Sequence, residues 1–350
     1  MEQLDARSFV EASMRLPVVD VRSPGEYIEG HLPGALNVPL LNDEQRRIIG
    51  TLYRNEGREA AMFRALDFYG PSMQQILQHL QRHAPKKQLL VYCWRGGLRS
   101  RVVAWMLELF GYRVATLAGG YKALRNLFLE TMSQPFQLWL IGGYTGSGKT
   151  EALNHLKQHG FPVIDLEQLA CHRGSVFGGF GQPSQPTQQQ FENTLSLQLL
   201  KTASKQPIWL EDESQRIGNV NVPRPLWLQM RQARVYFLDI PFEKRLDYLM
   251  EHYAYLSTDQ LITGTQRISR RLGGQRTQQI LNLIQHGNRR AAFALLLQYY
   301  DKLYDLSLSS RASNCVIRLR LAKPAAREIV EALLQATEKS TDFRTTQTVV

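Results

Sequence analysis

Short apolar runs that close on a charged residue or a glycine alternate along this chain with longer stretches whose apolar positions recur three and four apart. Leu16–Val21 (LPVVDV), Gln88–Tyr92 (QLLVY) and Arg113–Leu117 (RVATL) predict buried strands in the first half. Between the last two, Arg99–Leu109 (RSRVVAWMLEL) predicts a helix with a broad apolar face, stopped by Gly111. In the second half Gln137–Ile141 (QLWLI), Phe161–Ile164, Pro207–Leu210 (PIWL) and Arg234–Ile240 (RVYFLDI) predict strands. Helices are predicted over Glu151–Gln158 and through PFEKRLDYLMEHY, which starts at Pro241. Strands that alternate with helices in this way predict an α/β chain built on parallel sheets.

The pattern breaks in four places. Leu40–Pro85 contains RRIIGTLYRNEGREAAM, basic and helical in period, and reads as an insertion. Thr131–Phe136 (TMSQPF) reads as a linker, which sets an N-terminal domain at 1–130 and a second domain, with a basic helical region, at 137–336. Cys171–Glu192 is rich in Gly, Gln and Pro and predicts a mobile loop. Residues 337–350 are polar and predict a disordered tail. A chain of 350 residues can bury two separate cores.

Charge and cysteine content narrow the classes. A net charge of +11 points to a polyanionic partner, nucleic acid before membrane. Between Gly264 and Tyr300 lie Arg267, Arg270, Arg271, Arg276, Arg289 and Arg290, with no acidic residue. Arg267, Arg270, Arg271 and Arg276 read as a lid on phosphates or as contacts to an RNA backbone. The runs Leu138–Ile141 and Ala291–Leu297 are far too short to span a bilayer, and residues 1–15 lack the apolar core of a secretion signal. Cys93, Cys171 and Cys315 have neither metal-ligand spacing nor a disulfide pattern, so a reducing cytoplasm is expected.

Two stretches carry chemistry. VYCWRGGLRS (Val91–Ser100) places Cys93 at a strand end, before a glycine turn and a helix start. Backbone N–H groups and the positive helix end converge there, Arg95 and Arg99 add full charges, and Gly96-Gly97 lets the backbone curl around an anionic sulfur. GGYTGSGKT (Gly142–Thr150) fits G-x-x-x-x-G-K-[ST] between a strand and a helix. Gly143, Gly146, Ser147 and Gly148 would form the phosphate nest, Lys149 a point charge on it, and Thr150 a ligand for Mg²⁺. Pro207–Leu210 runs into Glu211-Asp212-Glu213, where Asp212 or Glu211 is expected at the metal.

Residues Asp20–Pro39 (DVRSPGEYIEGHLPGALNVP), the YCWRGGLRS loop and Gly111–Arg125 (GYRVATLAGGYKALR) resemble, in order, the motifs of rhodanese domains. Trp94 directly after the cysteine departs from the commonest form. Joined to GGYTGSGKT, DLEQLACHRGSVFG and EDESQRIG, they resemble the bacterial tRNA 2-selenouridine synthase family, from Asp20 to about Arg276. The resemblance implies a rhodanese-like parallel sheet domain followed by a P-loop NTPase-like α/β domain. It further implies that wobble 2-thiouridine in the anticodon arm of tRNA is S-alkylated by geranyl diphosphate. Selenium from selenophosphate then displaces the geranylthio group. Mg²⁺ is expected with the phosphates, no tightly bound organic cofactor, and a selenophosphate supplier as a partner. Three other functions fit the residues: an ATP-dependent tRNA sulfurtransferase, a small-molecule kinase with a regulatory rhodanese module, and a tRNA-binding adaptor that senses persulfide.

Overall fold

The computed structural model describes residues 2–202 and 206–345. Two compact units emerge, Met1–Met132 with Thr187–Leu197, and Ser133–Pro186 with Gln198–Val350.

In the first unit five parallel strands, β1 (Glu2–Leu4), β2 (Val18–Asp20), β3 (Leu36–Asn37), β4 (Gln88–Tyr92) and β5 (Arg113–Leu117), lie in the order β1-β5-β4-β2-β3. The middle strand, β4, is covered on both faces, so its side chains from Leu89 to Tyr92 are all buried, as the unbroken apolar run requires. The Leu40–Pro85 segment forms two helices, Asp43–Asn55 and Arg58–His83. Gly57 divides them at φ +94°, a conformation that glycine adopts without a Cβ clash. The helix Gly120–Ser133 runs through the start of the expected linker.

The second unit has four parallel strands, β6 (Leu138–Gly143), β7 (Ile208–Glu211), β10 (Arg234–Asp239) and β11 (Val316–Arg320), ordered β11-β10-β6-β7. A small antiparallel pair, β8 (Arg216–Ile217) and β9 (Val220–Asn221), lies apart from it. The strand expected at Phe161–Ile164 is reduced to one bridge, Val163 to Trp209. Pro162 accepts from the Trp209 N–H but has no N–H to return, and the chain turns at once into the short helix Leu166–Ala170, capped by Asp165. Trp139 meets Trp209 and Tyr236 edge-on, Trp209 and Tyr236 are tilted to each other, and Ile329 and Leu333 of the last helix complete that core. That helix, Ala326–Thr345, extends into the segment expected as a tail, and residues 346–350 lie outside the described ones. Among the described residues no helix is long and apolar enough to cross a membrane.

The helix Gln188–Thr202 is shared out along its length, its first turns belonging to the first unit. Asn193 there is wholly buried. Its Nδ2 donates to the Tyr121 hydroxyl (2.6 Å) and the His31 carbonyl (3.0 Å), and its Oδ1 accepts from Arg125 (3.0 Å). Arg125 also pairs with Glu192, and the Ser196 hydroxyl donates to the Phe128 carbonyl at 2.9 Å. Asn193→Ala strands these partners in a buried site, at a cost of about 1–3 kcal/mol. We expect a lowered thermal midpoint in the full chain; a midpoint at the wild-type value would show that these bonds hold nothing together.

Two candidate functional sites

The Cys93 loop follows from β4 ending against a helix. The helix Leu98–Leu109 starts directly after Gly97, so the loop lies at its N-terminal end. The loop is clasped from outside: Tyr121 N–H donates to the Cys93 carbonyl (2.8 Å) and Lys122 N–H to the Trp94 carbonyl (3.1 Å). The approach is so close that a Cβ on Gly120, at φ +62°, would stand 2.4 Å from the Cys93 carbonyl oxygen and 2.3 Å from the Gly96 nitrogen. Only glycine fits there. Cys93 is 2% exposed, and its Sγ lies 3.2 Å from the Ser100 hydroxyl.

The charges are arranged differently from the sequence expectation. Arg95 is exposed, whereas Arg99 is held by Glu26 at 2.7 Å, with Arg46 on the same carboxylate at 3.1 Å. The buried cation behind the loop is Arg22. It pairs with Asp20, both wholly buried, donates to the Gly30 carbonyl (2.7 Å), and lies over the Tyr121 ring at 3.9 Å. A charge so enclosed is stable only because each of these interactions compensates lost hydration. Asp20 and Arg22 were visible in the sequence as the end of a strand. Their pairing depends on the sharp turn after β2, which no apolar pattern encodes.

The P-loop follows β6 and leads into the helix Lys149–Gln158. Gly143, Gly146 and Gly148 have φ of +155°, +81° and +75°. Ser147 is 1% exposed and its hydroxyl has no protein partner, which leaves a buried polar group at the helix start. The Lys149 ammonium donates to the Gly143 carbonyl at 2.9 Å. Gly146, Ser147, Gly148, Lys149 and Thr150 line a cavity of about 350 Å³ together with Glu167, Arg173, Glu213 and four tyrosines.

The acids at this cavity are not the expected ones. Asp212 is held by Arg311 at 2.5 Å and does not line the cavity, while Glu211 is fully buried and accepts from the Leu166 N–H at 3.0 Å. Glu167 instead faces Thr150, whose hydroxyl lies 3.4 Å from its Oε2. Burial, and then Glu213, push the Glu167 carboxyl well above the usual range. A divalent cation there would reverse that preference. Thr150 and Glu167 fit Mg²⁺ as hard oxygen donors, and phosphate oxygens and water would complete an octahedron. The signal for Glu167 lay in DLEQLACHRGSVFG, on the helix Leu166–Ala170, too short for periodicity to say which side chain turns inward.

The four expected lid arginines lie outside the cavity lining. Arg267, Arg270 and Arg271 are exposed, Arg276 half-buried, and Arg267 lies over the Phe180 ring at 5.4 Å. Arg290 is engaged by Glu243 and Asp247, both at 2.7 Å. Phe177 is buried with Tyr253 and Phe293.

Comparison with known proteins settles the family. The model for the tRNA 2-selenouridine synthase AAA domain matches residues 136–339, and the rhodanese-like domain model matches residues 2–127. Proteins called tRNA 2-selenouridine synthase align over most of both chains. The one from Serratia proteamaculans is 36% identical, covering 87% of this chain and 90% of its own, and that from Nitrosomonas eutropha is 33% identical, covering 85% and 90%. This chain belongs to the tRNA 2-selenouridine synthase family. It is an enzyme with an N-terminal rhodanese domain and a C-terminal P-loop-like domain.

Glu26 gives this site a pH signature. Burial raises its pKa, but the bond from Arg99 and the charges of Arg99 and Arg46 outweigh burial and hold it at about 2. A carboxylate with a lowered folded pKa contributes stability above its unfolded value, and that contribution fades as pH falls toward the folded one. In Glu26→Gln we expect the stability lost between about pH 4.5 and 2 to shrink relative to wild type, read from urea midpoints across that range. Parallel wild-type and mutant profiles would remove Glu26 as the titrating group.

Proposed function

We propose that this chain replaces sulfur by selenium in 2-thiouridine at the wobble position of tRNA, by S-geranylation and then selenation. The observation that carries the reading is the pairing, in one chain of this family, of a glycine-clasped cysteine loop with a phosphate cavity. In the first displacement the C–O bond of geranyl diphosphate breaks, the diphosphate leaves with its electrons, and the 2-thio sulfur takes the allylic carbon. Developing charge on the leaving group is met by the P-loop N–H groups, Ser147 and Lys149, which swings from the Gly143 carbonyl to the phosphates. Thr150 and Glu167 would hold Mg²⁺, which when bound would neutralise further charge on the diphosphate.

Alkylation converts a poor leaving group into a thiol. In the second displacement selenium of selenophosphate attacks C2, geranylthiolate departs with the electrons of the C2–S bond, and water cleaves the P–Se bond to release phosphate. Cys93 and its loop deliver that selenium, its anion held at the helix start, with Arg99 and Arg95 beside the loop. A P-loop with Thr150 and Glu167 at its mouth also suits Mg·ATP, which keeps an ATP-dependent tRNA sulfurtransferase as the second reading.

The deciding experiment supplies 2-thiouridine tRNA with geranyl diphosphate and Mg²⁺, with and without selenophosphate, and weighs the wobble nucleoside by mass spectrometry. Cys93→Ala is expected to stop at the geranylated nucleoside, and Lys149→Ala to leave 2-thiouridine unchanged. A wild type inactive until ATP is added would transfer the assignment to the sulfurtransferase. Arg267, Arg270 and Arg271 are read as RNA-backbone contacts. Replacing all three by Ala should lower the slope of log affinity against log salt by roughly one for each phosphate left without its cation. An unchanged slope would place the tRNA elsewhere.

A further inference from the structure

The cavity at the P-loop has aromatic as well as polar walls. Besides the glycine loop and the acids its lining includes Tyr248, Leu249 and Tyr253, from the helix Phe242–His252 and its C-terminal cap, and Tyr300 and Tyr304, from the helix Arg289–Ser309. Tyr300 and Tyr304 are four residues apart and so share a helix face. Two of the hydroxyls are tied off by the Gly174–Phe177 turn. Tyr253 OH lies 3.1 Å from Ser175 Oγ, and Tyr300 OH accepts the Val176 N–H at 3.3 Å. The phenols are thereby anchored away from a reading role, and their rings remain as lining.

Tyr304 is distinguished from the other three. The Lys149 ammonium stands over its ring, 5.4 Å from the centroid. That ring face is therefore turned toward the P-loop and already accommodates a positive charge. When Lys149 moves onto phosphates, the face is left free beside the first atom beyond them. Burial holds the Tyr304 hydroxyl neutral, its pKa well above the usual phenol range. A volume of about 350 Å³ lies within the span of small-molecule sites, roughly 300–1,000 Å³.

We propose that the four tyrosines seat the hydrocarbon chain of an allylic diphosphate whose phosphates occupy the P-loop, and that the Tyr304 ring stabilises the allylic cation as the diphosphate leaves. This rests on the reading of the cavity as an isoprenyl diphosphate site. As the C1–O bond breaks, both electrons go to the diphosphate, and C1 through C3 share a positive charge beside a ring whose π face is negative. A lone pair of the 2-thio sulfur then forms the C1–S bond, and the N3 proton of the base passes to water. Because the cation exists only as the bond breaks, the ring acts on the chemical step more than on binding.

The test places Phe and its mono-, di- and trifluorinated analogues at position 304 of the full chain, with Tyr304→Leu alongside. Single-turnover geranylation of 2-thiouridine tRNA is followed at saturating geranyl diphosphate, and the affinity for inorganic pyrophosphate is measured by calorimetry. Fluorination drains the ring face while hardly changing its size. We expect Phe to match wild type, each fluorine to lower the rate further, and Leu to be at least tenfold slower, all with pyrophosphate affinity within twofold. Rates indifferent to fluorination, with wild-type transfer intact, would overturn the role of Tyr304 while leaving the geranylation reading in place. A wild type that binds pyrophosphate but forms no S-geranyl product would overturn both.

Discussion

The first backbone N–H groups of a helix have no partner within it, and both halves of this chain set such a helix start at the end of an interior parallel strand. Each helix start faces one loop. In one half that loop carries the sulfur of Cys93. In the other it is the glycine run between Gly143 and Thr150, which we read as a phosphate nest. A parallel sheet puts its strand ends on one edge, so a glycine loop at an interior strand is both reachable and walled by its neighbours.

The two loops are held in opposite ways. The Cys93 loop is pinned by neighbours, through the Tyr121 and Lys122 amides and the bare Cα of Gly120, and its cations are already engaged with Glu26 and Asp20. A loop so pinned has little room to adapt. The P-loop is less committed: Ser147 has no partner and Lys149 rests on a carbonyl it can leave. On the reading of that loop as a diphosphate site, such slack suits a ligand exchanged at each turnover.

The sequence was most informative where periodicity and glycine chemistry act locally. Gln88–Tyr92 and Arg113–Leu117 coincide with strands β4 and β5, and the P-loop glycines take the backbone angles their spacing implies. It was least informative where a side chain's direction depends on distant packing. Nothing local to Asp212 announces that Arg311 will hold it, and nothing near Glu167 announces that it will face Thr150. The same holds for β1, β11 and the long helices after Ser257. β1 is short and β11 (VIRLR) alternates apolar and charged residues, so neither resembles the apolar runs of the interior strands.

The Gln-rich stretch after Gly181 shows how composition can mislead about role. Its glutamines and prolines read as a loop, yet from Gln188 the chain is helical, and Gln189, Gln190 and Asn193 bond to Tyr121 and to the backbone at His31. Tyr121 in turn carries Arg22 over its ring and gives its amide to the Cys93 carbonyl. Polar side chains are favoured here because the surface they cover is itself polar, a hydroxyl and exposed carbonyls that leucine would bury without partners. Earlier in the segment expected as a loop, Arg173, Gly174 and Ser175 line the P-loop cavity. Composition thus marks the segment as irregular, while its conformation is decided by the polar groups its side chains must pair with.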